Sequence, residues 1–424
     1  MRSLYSLLLY LLMPLVLLYL FFRGLRSRDY LSRWSERFGR FEAPKQKGGI
    51  WIHAVSMGEV NAATPLIQAL TAKYPEKPLC VTTFTPTGSA RVGELFEDEA
   101  FHVFSPLDLP GSVARFYDRI QPELAIIMET EIWPNLLHEA AARNIPCLIA
   151  NARISDHSLD QYRRFRRLTA AALEQVSQIA AQSKTDAERL VSIGAPKDRV
   201  TVTGNLKFDF ELPEGLHEEG LAIRKNWGVN RLVLVGGSTH EKDEAVLIEA
   251  FDHVLADIPE ALLVLVPRHP ERFERSIQSA QAAGLQVARF SKDKDCPPGT
   301  QCFVVDAMGE LLRYYAACDV AFVGGSFEPV GGHNPLEPAA LARPLLVGPH
   351  MFNSAEITAQ LLKSGAALQL DDEKDLKDTL LRLFNDPALR DRMGQAGYQQ
   401  VLGGQGAVDR TLELVEVLFT EGAG

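Results

Sequence analysis

Residues 50–70 read IWIHAVSMGEVNAATPLIQAL. A short apolar strand ends near Val55, Gly58 permits a tight turn, and an amphipathic helix begins with Glu59 in its first turn. A strand running through a tight turn into a helix is the unit from which parallel α/β sheets are wound. Outward from it, further strands are expected at 79–83, 102–104, 124–128, 146–150, 179–181 and 200–203, each followed by a turn or helix. Their near-continuous Val, Ile and Leu content fits strands covered by helices on both faces. Residues 205–220, NLKFDFELPEGLHEEG, lose the periodicity and gain acidic and turn residues, which places the interdomain linker there. A second strand series is expected at 232–235, 262–266, 286–289, 302–305, 320–323, 344–347 and 366–370. The expected architecture is α/β, with two doubly wound Rossmann-like domains over residues 49–204 and 221–424 facing a cleft. Ligands bind such sheets outside the carboxyl ends of the strands, so the chemistry belongs in the strand-to-helix loops.

Length and composition agree. At 424 residues the chain is long enough for two domains, and 46% hydrophobic with 23% charged residues describes a globular protein. A net charge of -10 gives no general attraction for phosphate backbones, so a nucleic-acid partner is not expected. Five cysteines, Cys80, Cys147, Cys296, Cys302 and Cys318, form no CxxC pair and lie mostly in apolar runs. Neither a disulfide framework nor a zinc cluster is expected, and the usage suits a reducing compartment.

Residues 4–22, LYSLLLYLLMPLVLLYLFF, carry no charge and nearly suffice as a helix to cross the hydrocarbon core of about 30 Å. Residues 1–24 are read as a membrane anchor and 25–48 as a basic juxtamembrane segment. Only Arg2 and the amino terminus precede the apolar run, whereas Arg23, Arg26, Arg28, Arg33, Arg37 and Arg40 come after it. That order opposes a cleaved signal peptide and places the chain beyond Phe22 on the cytoplasmic face. Pro14 and the marginal length leave a spanning helix and a shallow monotopic anchor both open. The basic stretch suits anionic headgroups.

In the first domain Glu59 is a helix-start, cleft-facing carboxylate, kept ionised by the helix dipole and suited to a general base. Its alternative is a carboxylate that merely complements the helix N-terminus. His53, inside the strand, reads as a core histidine. METEIWPN, residues 128–135, runs a buried strand into Glu129 and Glu131, with a helix cap or an ion pair to Arg91 or Arg153 as the alternative to a catalytic role. NARISDHS, residues 151–158, offers polar groups and a guanidinium for a sugar or acidic acceptor. YRRFRRL, residues 162–168, reads as one helix with Arg163, Arg164, Arg166 and Arg167 among apolar residues, suited to anionic lipid.

The second domain has neither a Rossmann fingerprint nor a Walker loop. In LVLVGGSTHEKDE, residues 232–244, glycines are expected to let backbone amides approach an anion at the start of a helix. Arg268, set between Pro267 and Pro270, suits a phosphate or carboxylate clamp. VGGSFEPVGGHNPLE, residues 323–337, offers the amides of Gly331 and Gly332 to phosphate oxygens and Glu337 to the hydroxyls of a ribose. Asp293 and Asp295 superficially form a DxD metal motif, but they sit in a charged loop and no metal is expected.

Taken together, HAVSMGE, TPTG, METEIWPN, NARIS, GNLKFD, STHEKDE, VPRHPERF, MGEL, FVGGS and GGHNPLEPAA resemble the 3-deoxy-D-manno-oct-2-ulosonic acid (Kdo) transferases of lipopolysaccharide assembly over essentially the whole chain. The resemblance implies a GT-B fold, CMP-Kdo as donor, a lipid A precursor (lipid IVA) as acceptor and inversion at the Kdo anomeric carbon. It implies Glu59 as general base and Glu129 with Lys207 as transition-state stabilisers. It implies CMP contacts from Pro267 and Arg268, from Met308, Gly309 and Glu310, and from Asn334, Pro335, Leu336 and Glu337. It also implies a signal-anchored enzyme at the cytoplasmic face of the inner membrane, touching anionic lipids and needing no cofactor beyond its donor. One departure stands out, because STHEKDE replaces the family's common STHEGE beside the expected phosphate loop, which puts donor affinity in question. A nucleotide-sugar epimerase shares the two-lobed fold but needs no anchor, and a non-catalytic sugar-nucleotide binder would not need Glu59 and Lys207. How many Kdo units are added is not legible.

Overall fold

The computed structural model describes all residues except Ser27, Asp98, Lys294, Asp295, Glu373 and residues 422–424. It divides into two compact units, Met1–Phe210 with Gly404–Gly424, and Glu211–Gly403.

The first unit opens with helix α1 (Arg2–Arg26). It then alternates β1 (Ile50–His53), α2 (Met57–Lys73), β2 (Leu79–Thr83), α3 (Pro86–Phe96), β3 (Ala100–Phe104), α4 (Pro110–Ile120), β4 (Leu124–Met128) and α5 (Pro134–Ala142). After β5 (Cys147–Ala152) come α6 (Asp156–Arg164), α7 (Arg166–Leu173), β6 (Gln178–Ala181), α8 (Lys184–Ile193) and β7 (Val200–Val202). The seven strands form one parallel sheet in the order β3-β2-β1-β4-β5-β6-β7. Alternation of side chains across the pleat sends Trp51, Ala125 and Ile149 to a core on one face and Ile52, Ile126 and Leu148 to a core on the other.

The second unit runs α9 (Leu216–Trp227), β8 (Val233–Thr239), α10 (Glu241–Asp257), β9 (Leu262–Pro267), α11 (Phe273–Ala282), β10 (Val287–Arg289), α12 (Phe290–Asp293) and β11 (Cys302–Val304). It continues with α13 (Leu311–Ala317), β12 (Val320–Val323), α14 (Leu336–Ala340), β13 (Leu345–Val347), α15 (Ala355–Lys363), β14 (Ala367–Gln369), α16 (Asp375–Asn385) and α17 (Pro387–Gly404). Its parallel sheet has the order β10-β11-β9-β8-β12-β13-β14. Every strand expected from the sequence is present. All five cysteines are free and buried.

Three expectations are corrected. The last helix, α18 (Ala407–Glu421), belongs to the first unit, not to a second domain running to residue 424. Leu412, Val415 and Leu418 join the core around Leu66 and Leu70 of α2. The linker is shorter than residues 205–220, since Leu206–Phe208 form a 3-10 turn packed on α2 and Asp209 accepts hydrogen bonds from the Gly406 (2.6 Å) and Val408 amides. Finally, 162–168 is not one helix: Phe165 (φ -108°, ψ 30°) breaks it into α6 and α7.

Candidate active site

In each sheet the strand order reverses beside the first strand, the point at which doubly wound sheets bind their ligands. In the first unit β1 lies between β2 and β4, so the loops after β1 and β4 are neighbours. The first carries Ser56 and Glu59, the second Glu129 and Glu131. Ser56 caps α2, its Oγ accepting from the Glu59 amide at 3.4 Å. The Glu59 carboxylate turns back, accepting from the Val55 amide at 2.8 Å and from the Ser56 hydroxyl at 3.0 Å. This relative of the capping box holds the carboxylate over the strand end.

Glu59 is only 8% exposed. Burial pushes its pKa up to about 8, with repulsion from Glu131 and Glu129 adding to the rise and the Val55 and Ser56 hydrogen bonds opposing it. The expectation that the helix dipole keeps it ionised is therefore corrected: a dipole effect of about 0.3 to 1 kcal/mol is smaller than desolvation beside two carboxylates. Glu129 adopts φ 54°, a left-handed conformation uncommon for a residue with a side chain, and meets Arg153 Nε at 3.3 Å. The ion pair expected with Arg153 or Arg91 is thus made to Arg153. Arg91 instead meets Asn61 and Glu94. Glu131, whose pKa burial raises, accepts from Trp133 Nε1 at 2.7 Å. The Trp133 ring stands edge-on to His53 and to Phe84. His53 is fully buried, its Nδ1 2.9 Å from Thr82 Oγ1, and desolvation lowers its pKa to about 3.

Of the polar residues in 151–158, Asn151 departs from the expected reading, whereas Arg153, Ser155, Asp156 and His157 are exposed. Asn151 is fully buried at φ 55°, and its Oδ1 accepts from the Leu206 amide at 3.0 Å. It braces the turn that carries Lys207, whose own amide donates to Asn205 Oδ1 at 3.0 Å. Sequence reasoning missed this brace and the part of Glu131. Their signal was the closing of two strands on polar residues, which the motif reading assigned to ligand binding at 151–158 and to catalysis or an ion pair at 128–135.

In the second unit the reversal lies between β8 and β12. His240, after β8, and His333, after β12, stack at 5.2 Å with Nε2 atoms 3.0 Å apart, and His269, after β9, packs edge-on at 5.5 Å. Burial, reinforced by the neighbouring His240, Arg268 and His269, lowers the pKa of His333 to about 4. Arg268 is half-buried, its amide bonded to the Thr239 carbonyl at 3.0 Å. Glu337, whose pKa burial raises while Asn334 and Arg268 hold it down, accepts from Asn334 Nδ2 at 3.2 Å. Asn334 Oδ1 accepts from the Leu336 amide after Pro335. Met308 is 52% exposed, Gly309 has φ 85°, and Glu310 pairs with Arg313 at 2.8 Å. Arg268, Asn334 and Glu337 thus converge, while Glu310 is engaged by Arg313.

The expected glycine cradles are corrected. Gly236 and Gly237 lie inside β8, where a Cβ on Gly237 would fall 2.0 Å from the Tyr315 hydroxyl, so packing requires them. The Gly332 amide is bonded to the Gly325 carbonyl at 2.7 Å, and both Gly331 and Gly332 are buried. At the start of α10 the Lys242 amide donates to Glu328 Oε1 and the His240 amide to Asp243 Oδ2, so the helix end is occupied by the protein's own carboxylates. Asp243, one of the two residues in which STHEKDE departs from the common pattern, is fully buried and also accepts from the Gly325 and Phe327 amides at 2.7 and 3.0 Å. Of the DxD pair, Asp293 bonds the Arg289 amide, and Asp295 lies outside the described residues.

With this geometry in place, comparison with known proteins is specific. Residues 32–210 match the family described as 3-deoxy-D-manno-octulosonic-acid transferase (kdotransferase), and residues 222–400 match glycosyl transferases group 1. A 3-deoxy-D-manno-octulosonic acid transferase of Haemophilus influenzae is 39% identical over 419 residues, covering 98% of each chain. That of Bordetella pertussis is 38% identical over 428 residues, covering 98% of this chain and 99% of its own. The solved UDP-GlcNAc 2-epimerase of Neisseria meningitidis bound to UDP-GlcNAc superposes with a TM-score of 0.56 over 86% of this chain and 99% of its own, at 14% identity, a likeness of fold alone. Two Rossmann-like units with these matches define a glycosyltransferase of GT-B architecture. More narrowly, the chain belongs to the 3-deoxy-D-manno-octulosonic acid transferase family, which serves lipopolysaccharide biosynthesis.

Proposed function

We propose that the chain transfers Kdo from CMP-Kdo to a lipid A precursor, lipid IVA, with inversion at the anomeric carbon, at the cytoplasmic face of the bacterial inner membrane. The observation that carries this reading is Glu59, a buried carboxylate at a strand-to-helix turn whose pKa stands at about 8. A base titrating near working pH combines a useful ionised fraction with real proton affinity. In the proposed step, Glu59 takes the proton of an acceptor hydroxyl as that oxygen bonds to the Kdo anomeric carbon. The bond from that carbon to the CMP oxygen breaks, and CMP leaves with the electron pair.

Glu129 then faces the developing positive charge of the sugar, and Lys207 faces the Kdo carboxylate. Arg268, with Asn334, Glu337 and the Met308 loop, holds CMP. A single phosphate needs neutralising, so the reading invokes no metal and no resident cofactor. Helix α1, whose most apolar 18-residue window has a mean hydropathy of 2.3 and whose residues Arg2–Gly24 are long and apolar enough to cross a membrane, is the anchor of this reading. Arg163, Arg164, Arg166 and Arg167 meet anionic lipid.

The test is turnover of CMP-Kdo with tetraacylated lipid A precursor, followed by mass spectrometry of the lipid. Glu59→Gln is expected to bind CMP normally and to lose turnover by roughly 10²-fold or more. Near-normal turnover would remove Glu59 as the base.

A further inference from the structure

Helix α1 does not stand away from the first unit. Its partly or fully covered positions, among them Arg2, Ser6, Leu9, Met13, Leu20 and Gly24, recur every three or four residues, or two turns apart, along the whole helix. They form one stripe at helical period. The opposite face is apolar and open, with Leu4, Leu8, Leu11, Leu15, Leu18 and Phe22 each at least 49% exposed.

Both ends of the stripe are fastened. At the far end, where α1 packs on the 3-10 turn Arg28–Leu31 that follows it, Leu20 is 3% exposed and Gly24 is buried, and just beyond that turn Arg33 donates to Ser89 Oγ and the His102 carbonyl at 3.1 and 3.0 Å. At the near end Arg2 and Ser6 donate to Asn135 Oδ1 at 3.2 and 3.0 Å, and Tyr5 donates to Asp108 at 2.9 Å. Asp108 and Asn135 are themselves locked together. Asn135 Nδ2 donates to the Asp108 carbonyl at 2.6 Å, and the Asp108 carboxylate accepts from the Asn135 and Leu136 amides at 3.1 and 2.8 Å.

A helix crossing a bilayer of about 30 Å hydrocarbon thickness carries its two ends to opposite faces. Ser6 could then not meet Asn135, which begins α5 in the globular body. Releasing it would also strip the half-buried Asp108 carboxylate of its Tyr5 donor. We infer that α1 is an in-plane anchor: it lies along the first unit, with its open apolar face sunk into one leaflet and both ends on the same side of the membrane.

The inference rests on the proposed membrane location and selects between the two anchoring modes that sequence leaves open. A lipid leaflet, rather than a protein partner, is the occupant that charge favours. Both α1 and α7 pack on α5, and the α6–α7 junction presents Phe165, 61% exposed, among Arg163, Arg164, Arg166 and Arg167. An apolar face bordered by arginines matches acyl chains bordered by anionic headgroups. The fastening also reaches the site, because Asn135 closes the loop that carries Glu129, Glu131 and Trp133.

The test uses the full chain and vesicles of phosphatidylethanolamine and phosphatidylglycerol. All five native cysteines are buried, so Ser3→Cys reports the amino-terminal end and Ser279→Cys, exposed on α11 and away in sequence from the lipid-facing arginines, reports orientation. An impermeant maleimide added outside, with labelling normalised to detergent-solubilised protein, is expected to modify both to within twofold. A tenfold or greater protection of Ser3→Cys while Ser279→Cys reacts means that α1 spans, and overturns the inference with the membrane location intact. Ser6→Cys with Asn135→Cys is expected to form a disulfide in vesicles; failure to cross-link in vesicles, with cross-linking in detergent, likewise overturns it. If the parent chain does not float with the vesicles at all, the membrane location itself fails.

Discussion

Glu59 holds two conflicting instructions. Hydrogen bonds from Val55 and Ser56 favour its ionised form, while burial and the nearby Glu131 and Glu129 disfavour it, and the second set wins. A base with a pKa raised to about 8 must lose its proton to act, so turnover is expected to rise with pH through about 8 and level off above it. Glu129→Gln removes one repelling carboxylate, so the midpoint of that pH profile should move down, alongside any loss of rate; an unmoved midpoint would detach Glu129 from the base. The same shift has a stability sign. The folded state holds a proton on Glu59 that the unfolded state releases near pH 4.5, so this group's contribution to stability falls as pH rises from about 4.5 through about 8. Glu59→Gln, uncharged throughout, is expected to be more stable than the parent at pH 9, by about 3 to 5 kcal/mol, with the difference shrinking toward pH 5. Equal melting curves at pH 9 would contradict the raised pKa. The position of Glu59 is legible in the sequence, because a strand, a glycine turn and a helix start are local signals. The two carboxylates converging on it from the end of β4 are not, since a parallel sheet brings together residues some 70 positions apart in the chain. That long-range pairing adds to a burial equally invisible in the local pattern, and together they reverse the ionisation expected from the helix dipole alone.

At the scale of elements, the loops of the second unit are set by carboxylates more than by glycines. Asp243 gathers the His240, Gly325 and Phe327 amides, so one side chain fixes the ends of β8 and β12 together. Asp243→Ala leaves those buried amides without acceptors, and a loss of roughly 2 to 4 kcal/mol is expected in the unfolding of this unit, with weaker CMP binding as the loops separate. Unchanged stability and CMP affinity would mean that the β8 and β12 ends are held by something else. Arg268→Ala should spare the fold and cost CMP about 1.5 to 3 kcal/mol of binding, read by calorimetry. The strands of both sheets are legible because buried parallel strands are short apolar runs. The split of 162–168 at Phe165 is not, since a single non-helical residue inside a helical pattern leaves no compositional trace. The glycines mislead for a related reason: in sequence, a glycine required by the Tyr315 hydroxyl looks the same as one required by a phosphate.

The whole chain carries a net charge of -10, yet Arg163, Arg164, Arg166 and Arg167 form an exposed group on the first unit. The arginines after α1 are less available than their sequence suggests. Arg37 is 1% exposed, its guanidinium lying over the rings of Phe84 and Phe104, and Arg33 pairs with Glu36 at 2.7 Å. The expectation that the entire basic stretch faces headgroups is corrected to that extent, and the attraction for lipid falls more heavily on the α6–α7 group. Four arginines near an anionic surface contribute about 1 kcal/mol each at low salt, and a Debye length near 8 Å at physiological salt removes much of that. Replacing all four by Ser is therefore expected to weaken binding to phosphatidylglycerol-containing vesicles by at least tenfold at low salt. It should also raise the apparent KM for the lipid acceptor and leave that for CMP-Kdo unchanged. The gap between variant and parent should narrow as salt rises, because screening already takes from the parent what the substitutions take from the variant. Parent-like vesicle binding at low salt would make the four arginines a solvated helix face and leave the apolar side of α1 to hold the membrane alone.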